Sequence, residues 1–403
     1  MRFWLRLHYT VPACALVVLL ALLGAHVVRG GGWVEAWSML RVTALSPTFA
    51  DLRTITHSLD AVRHGLNPYV DVIFDPWHRV YNYPSIWLSL AYLGIGSQHT
   101  NIIGALMIIM LVASLTILFD CGSFITRAIT AALVVSPPML LLVERCNGDM
   151  LVFSMLTLGF MATRKWPPLA QSAGRTLLIA LLTAMKIYPF VTVVALIRNR
   201  HSMLLAIAGA FLALAALFVT SGVENLRYVF ANTPQIFSGS YGASPLFQAL
   251  GGNLGHNSVE LRRIASAVSI VVALLFAALA FAHRAKDARW LPTFDPEAAR
   301  DQVALACLAI FLFSFVLGSN FDYRLIFLIG TVPPMLRAFD LSGRRILLAW
   351  PIAVVAFLWL SRVSSLVMAC DEVLGWGLFC AGVFALTKVL AARLGLGASA
   401  IAG

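Results

Sequence analysis

Apolar runs of near-spanning length recur from one end of this chain to the other, divided by short polar stretches. Candidate spans cover roughly 12–29, 84–97, 101–119, 125–143, 148–163, 174–197, 202–220, 264–283, 303–319, 325–337, 346–361 and 373–391. The runs are continuously apolar and do not alternate, which argues against a β-barrel. A backbone in lipid must pair its amides within its own segment, which leaves helices. The pattern therefore predicts an all-α, polytopic membrane protein with about twelve crossings, a single transmembrane domain over 1–403. That count puts both ends inside and the two long polar interludes, 30–83 and 221–263, outside. The first is expected to hold short helices beside the membrane. The second is polar, Gly-rich and aromatic, either a flap over a binding groove or a solvated connector.

Composition agrees. Hydrophobic residues make up 60% of 403 and charged residues 12%, with a mean hydropathy of +0.86. The net charge of +11 is no nucleic-acid signal, because Lys and Arg sit mainly in short loops and at helix ends, as orientation in a membrane demands. Met1 to Arg6 and the apolar run after it read as a retained first helix with a cytoplasmic N-terminus. One group of charges resists this topology: Arg127, Arg164, Lys165 and Arg175 fall outside. A break of 174–197 around Lys186-Ile187-Tyr188-Pro189 would bring the last three back inside, and Pro189 supplies a reason for one. The six cysteines are scattered without a CxxC pair and read as small buried hydrophobes. There is no P-loop, no GxGxxG after a strand and no compact DxD, so no cofactor and no metal is expected.

Charge gathers in four places. The first is the stretch from Asp51 to Trp87, with Arg53, His57, Asp60, Asp75 and Arg79. Asp51 either stabilises the start of its own helix or does chemistry at the membrane face. The second is Glu144-Arg145-Cys146-Asn147-Gly148-Asp149, between two apolar runs, where acids and Arg must pair to be buried. The third is Lys186, alone in an apolar segment, at a cost of roughly 2.5–3.5 kcal/mol at a bilayer centre. It needs an anionic partner, a protein carboxylate or a ligand phosphate. The fourth is Asn320-Phe321-Asp322-Tyr323-Arg324, where Arg324 is either an interfacial anchor with Tyr323 or, with Lys186, half of a cradle for a phosphodiester or pyrophosphate.

In order, an Asp after the first span (Asp51), Gly65-x-Asn67-Pro68-Tyr69, and Asn82-Tyr83-Pro84 opening the next span form a pattern. It resembles the polytopic GT-C glycosyltransferases, specifically glycosyltransferase family 87. The Glu144–Asp149, Lys186–Pro189 and Asn320–Arg324 groups are similar to further motifs of that family, with Cys146 where a glycine is usual. The resemblance implies an inverting, mannosyltransferase-like enzyme that moves a hexose from a polyprenyl-phosphate sugar to a lipid-linked or glycan acceptor of the cell envelope. It implies an active site on the periplasmic or extracellular side of the cytoplasmic membrane. Asp51 then maps to the general base. Lys186, Arg145 and Arg324 are candidates to meet the donor phosphate, with Asp149, Tyr323, Tyr83, Asn82 and His57 around the substrates. A transporter or flippase for a lipid-linked or anionic solute would use the same cations and no base.

Overall fold

The computed structural model describes residues 11–120, 122–233, 240–252, 258–282, 291–292, 294–360 and 365–396. Met1 to Arg6, the start of the Gly/Ser run at 238–239, and His256-Asn257 lie outside the described residues. The helices in chain order are α1 (Val11–Val28), α2 (Trp33–Ser38), α3 (Ala50–Arg63), α4 (Thr100–Leu118), α5 (Phe124–Val134), α6 (Pro137–Arg145), α7 (Gly148–Ala162) and α8 (Pro168–Met185). They continue with α9 (Arg200–Asn232), α10 (Ser244–Gly252), α11 (Ser258–Ala282), α12 (Ala299–Val316), α13 (Ile326–Ile329), α14 (Pro333–Ser342), α15 (Ala349–Leu360) and α16 (Ser365–Arg393). Two-residue strands β1 (Ser240–Tyr241) and β2 (Asn320–Phe321) pair antiparallel, with Ser240 opposite Phe321.

The chain is an all-α, polytopic membrane protein, as the hydropathy pattern predicts. Six helices among the described residues are long and apolar enough to cross a membrane, or seven when α5 and α6, bent by 47°, count as one span. The sequence suggested about twelve segments, and the difference arises because several of them are broken and others, such as α7 and α15, form shorter helices. The apolar stretch at 84–97 is a 3-10 helix, Ser85–Leu93. The stretch at 174–197 ends as α-helix at Met185, turns extended at Lys186, and resumes as a 3-10 helix, Tyr188–Leu196. The Pro137-Pro138 pair opens α6 and bends it away from α5.

Around the centre the chain runs as a zigzag. Helix α7 leaves Asn147 and ends at Arg164-Lys165, about 22 Å away at 1.5 Å per residue. Helix α8 returns to Lys186, and the 3-10 segment descends again to Arg198. At that far end Arg198 bonds Gln171, Arg393 donates to the Ile197 carbonyl at 2.8 Å, and the buried Arg175 bonds Gln302 near the start of α12. Helix α12 is buried almost throughout and packs on α7 and the 188–196 segment. Helix α11 shows the opposite character: Val271 and Leu274 are exposed and apolar, as a lipid-facing surface requires.

Of the cysteines, Cys146 and Cys307 are buried as expected, whereas Cys14 and Cys370 are exposed. Both exposed thiols lie on apolar helices, where a small hydrophobe suits contact with lipid as well as a core.

Candidate active site

Asp51 stands in the first turn of α3, and the chain leading to it is clamped by the end of α6. The Glu144 carboxylate accepts from the Leu45 amide at 2.9 Å, and its carbonyl accepts from the Phe49 amide at 3.2 Å. Arg145 pairs with Glu144 at 3.1 Å and donates to the Thr43 carbonyl at 2.8 Å. Phe49 adopts φ 62°, turning the chain sharply into α3. On the other side Arg79 donates to the Ala50 carbonyl at 2.6 Å and lies 3.5 Å from Asp51. Arg79 is itself held by Asp75, which also accepts from Thr54 at 3.1 Å and the Trp77 amide at 2.8 Å. Asp75 is thus occupied in tying the 75–79 loop to α3.

The junction of α6 and α7 is the hub. Cys146 ends α6 at φ 48°, ψ 47°, the left-handed conformation that a glycine takes freely and another residue adopts at about 1–2 kcal/mol. The cysteine is fully buried, its sulfur 3.8 Å from the Gly104 carbonyl. Cys146 thus makes a left-handed turn of the kind that glycine favours. That turn delivers Asn147 as the N-cap of α7, its side chain accepting from the Asp149 amide at 2.9 Å. The same Asn147 oxygen accepts from Lys186 Nζ at 2.7 Å. Its nitrogen donates to Asp51 Oδ2 at 2.6 Å and to the Tyr83 hydroxyl at 3.2 Å.

Asp149 is fully buried and shared by two cations. Lys186 Nζ lies 2.7 Å from one oxygen and Arg324 Nε 3.2 Å from the other, while the Tyr188 hydroxyl also donates to it. Lys186 has the carboxylate partner that its position required. Arg324 also bonds Asn320 and lies 4.8 Å over the Tyr188 ring.

Both cations open onto a cavity of about 310 Å³. Its polar lining includes Asn82, Tyr83, Asn147, Lys186, Tyr323 and Arg324, and its apolar lining Val229, Phe230, Leu317 and Phe321. Val229, Phe230 and Thr233, at the end of α9 beyond a kink at Gly222 (φ 71°), line the cavity. Among the sequence candidates, Lys186, Arg324, Tyr323, Tyr83 and Asn82 line the cavity, Asp149 lies behind its cations, and Asp51 lies behind Asn147. Arg145 and His57 do not line it.

Outside the spanning segments, burial pushes the Tyr83 phenol well above its usual range, with Asp51 and Asp149 adding to the effect, so it stays a neutral hydroxyl. Burial lowers His57, which Asp60 opposes. Asp60 is held below the usual carboxylate range: burial works against this, but hydrogen bonds from Ser97 and Arg63 outweigh it. Asn147, Tyr188 and Arg79 join the site without having been singled out as binding residues. The signal for the first two was their place inside the Glu144–Asp149 and Lys186–Pro189 groups; nothing in the sequence joined Arg79 to Asp51.

Comparison with known families decides the class. The family model of glycosyltransferase family 87 matches residues 83–314, more than half of the 403. The chain belongs to glycosyltransferase family 87. It is a membrane glycosyltransferase, with a donor and an acceptor substrate. The family 87 match contains the Glu144–Asp149 hub and Lys186; Asp51 and Arg324 lie outside it and join the site through the fold. Nothing among curated proteins or solved structures matches the chain.

Proposed function

We propose that this family 87 enzyme moves a hexose, mannose or a close relative, from a polyprenyl-phosphate sugar to a lipid-linked or glycan acceptor, with inversion. The observation that carries the reading is the pair Lys186 and Arg324, open to one cavity and sharing a single carboxylate. Two cations against one fixed anion leave positive charge for a phosphate, and the apolar lining of Val229, Phe230, Leu317 and Phe321 suits a prenyl chain. In the step, the acceptor oxygen bonds the anomeric carbon as the bond from that carbon to the phosphate oxygen breaks. Asp51 takes the acceptor's hydroxyl proton, and Lys186 and Arg324 meet the charge left on the lipid phosphate.

We place the active site on the non-cytoplasmic face of the cytoplasmic membrane. What supports this is Arg164, Lys165, Arg198 and Arg200, in short turns at the end of the bundle opposite Asn147, where the positive-inside bias puts the cytoplasm. The test uses purified protein in detergent with synthetic polyprenyl-phosphate sugars labelled in the sugar, and a membrane extract as acceptor. Label from the mannose donor is expected to leave the lipid for the acceptor fraction. Binding of these lipids with no transfer from any of them would overturn the polyprenyl-phosphate donor.

A further inference from the structure

Asn147 has an ordinary explanation: it caps α7 through its side-chain oxygen. That role leaves its nitrogen unexplained. The nitrogen is spent on Asp51, at 2.6 Å, and on Tyr83, while the oxygen that caps the helix also receives Lys186 at 2.7 Å. One planar amide therefore touches the carboxylate on one side and the cavity cation on the other. Asn147 lines the cavity, and Asp51 lies behind it.

We propose that Asn147 is a positioning residue: its N–H holds the Asp51 carboxylate in place while its carbonyl fixes Lys186, so that one side chain sets base and phosphate-binding cation against each other. The consequence for role rests on the transferase reading; the contact itself does not. A carboxylate that accepts an N–H keeps its charged form more readily than one that faces another carboxylate. The other groups whose charge reaches or faces Asp51 are Arg79, Tyr83, Glu144, Cys146, Lys186 and Tyr323, and none of them changes in the variants below.

The helix-cap role and the positioning role separate in Asn147→Asp. Aspartate caps a helix as well as asparagine does and still offers Lys186 an oxygen, so the fold and the cavity cation keep their partners. The group facing Asp51 is reversed, from N–H donor to carboxylate oxygen, and the Tyr83 hydroxyl, which accepted from that nitrogen, can turn and donate to the new oxygen. Two carboxylates at that separation share a proton. The measurement is the pH dependence of Asp51 modification by dicyclohexylcarbodiimide, which reacts with protonated carboxyls, followed on the Asp51 peptide by mass spectrometry. The midpoint is expected about one pH unit or more higher in Asn147→Asp than in the parent. Asn147→Ser, which keeps a cap but is too short to reach Asp51, is expected to lie between the two. The acidic limb of the transfer rate should move upward in the same order, with transfer at neutral pH falling about tenfold or more in Asn147→Asp.

Midpoints that coincide in all three proteins would overturn the proposal and leave Asn147 a helix cap. The labelling needs no turnover, so the two readings fail separately. Shifted labelling in a parent that transfers no sugar sinks the polyprenyl-phosphate donor reading alone. An active parent with unshifted labelling sinks the role of Asn147 alone.

Discussion

Asp51 and Asp149 are both carboxylates at the hub, and their partners give them opposite duties. Asp149 is enclosed and answers two cations; Asp51 holds one N–H and a more distant Arg79 and is the carboxylate proposed as the base. Asp51→Asn is expected to lower sugar transfer by roughly 10²–10⁴-fold while the lipid-phosphate-induced melting shift persists, because Lys186 and Arg324 are untouched. Transfer at the parent rate would place the base elsewhere, and not at Asp75, whose oxygens are already taken by Thr54, Trp77 and Arg79. Lys186→Met tests the other half. It strips Asp149 of one charged partner and is expected to cost about 3–5 kcal/mol of stability and to abolish the melting shift given by polyprenyl phosphate. A mutant that keeps the full shift would confine Lys186 to its ion pair. The sequence made Lys186 conspicuous, because a lone cation in an apolar run demands a partner. It could not choose between carboxylate and phosphate, since that depends on whether Asp149, thirty-seven positions earlier, comes back beside it.

At the scale of elements, the apolar runs marked where chain meets lipid but not where helices stop. The stretch at 84–97 has the composition of a span, yet its first nine residues after Pro84 form a 3-10 helix. The reason is tertiary: Trp87 from this segment donates its indole N–H to the Met185 carbonyl at 2.8 Å, where α8 stops beside Lys186. The indole thus satisfies a carbonyl that the broken helix leaves open. Trp87→Phe, which keeps the ring and deletes the donor, is expected to destabilise the protein by about 1–3 kcal/mol, read as a lower melting temperature. An unchanged melting curve would mean that another donor serves Met185. The break itself was legible, from Pro189 and from the charge pattern on either side; its partner was not, because periodicity carries no information on which segment crosses which.

For the whole molecule, the zigzag gathers at one end charges that a simple count of spans divided between two sides. With α8 ending at Lys186, Arg164 and Lys165 share an end with Arg198 and Arg200, away from Asp51. In a background without native cysteines, Ile73→Cys, at an exposed position of the first loop, is expected to react with an impermeant maleimide added outside intact cells. Lys165→Cys, also exposed, should react only after permeabilisation, and the reverse result would invert the proposed orientation. The same zigzag governs how the chain tolerates changes of length. Asn147, Lys186 and Arg324 all sit at places where a membrane segment is interrupted, and those interruptions meet at one level. The stretches between them act as spacers of fixed count. One residue added within α8 near Leu181 would turn Lys186 by about 100° away from Asp149 and Asn147. One added at the Trp166-Pro167 turn would only lengthen an exposed corner. Single-residue insertions scored by sugar transfer should accordingly be silent at the far turns and lethal to activity along α7 and α8, so that drift in length is confined to the end of the bundle away from Asn147.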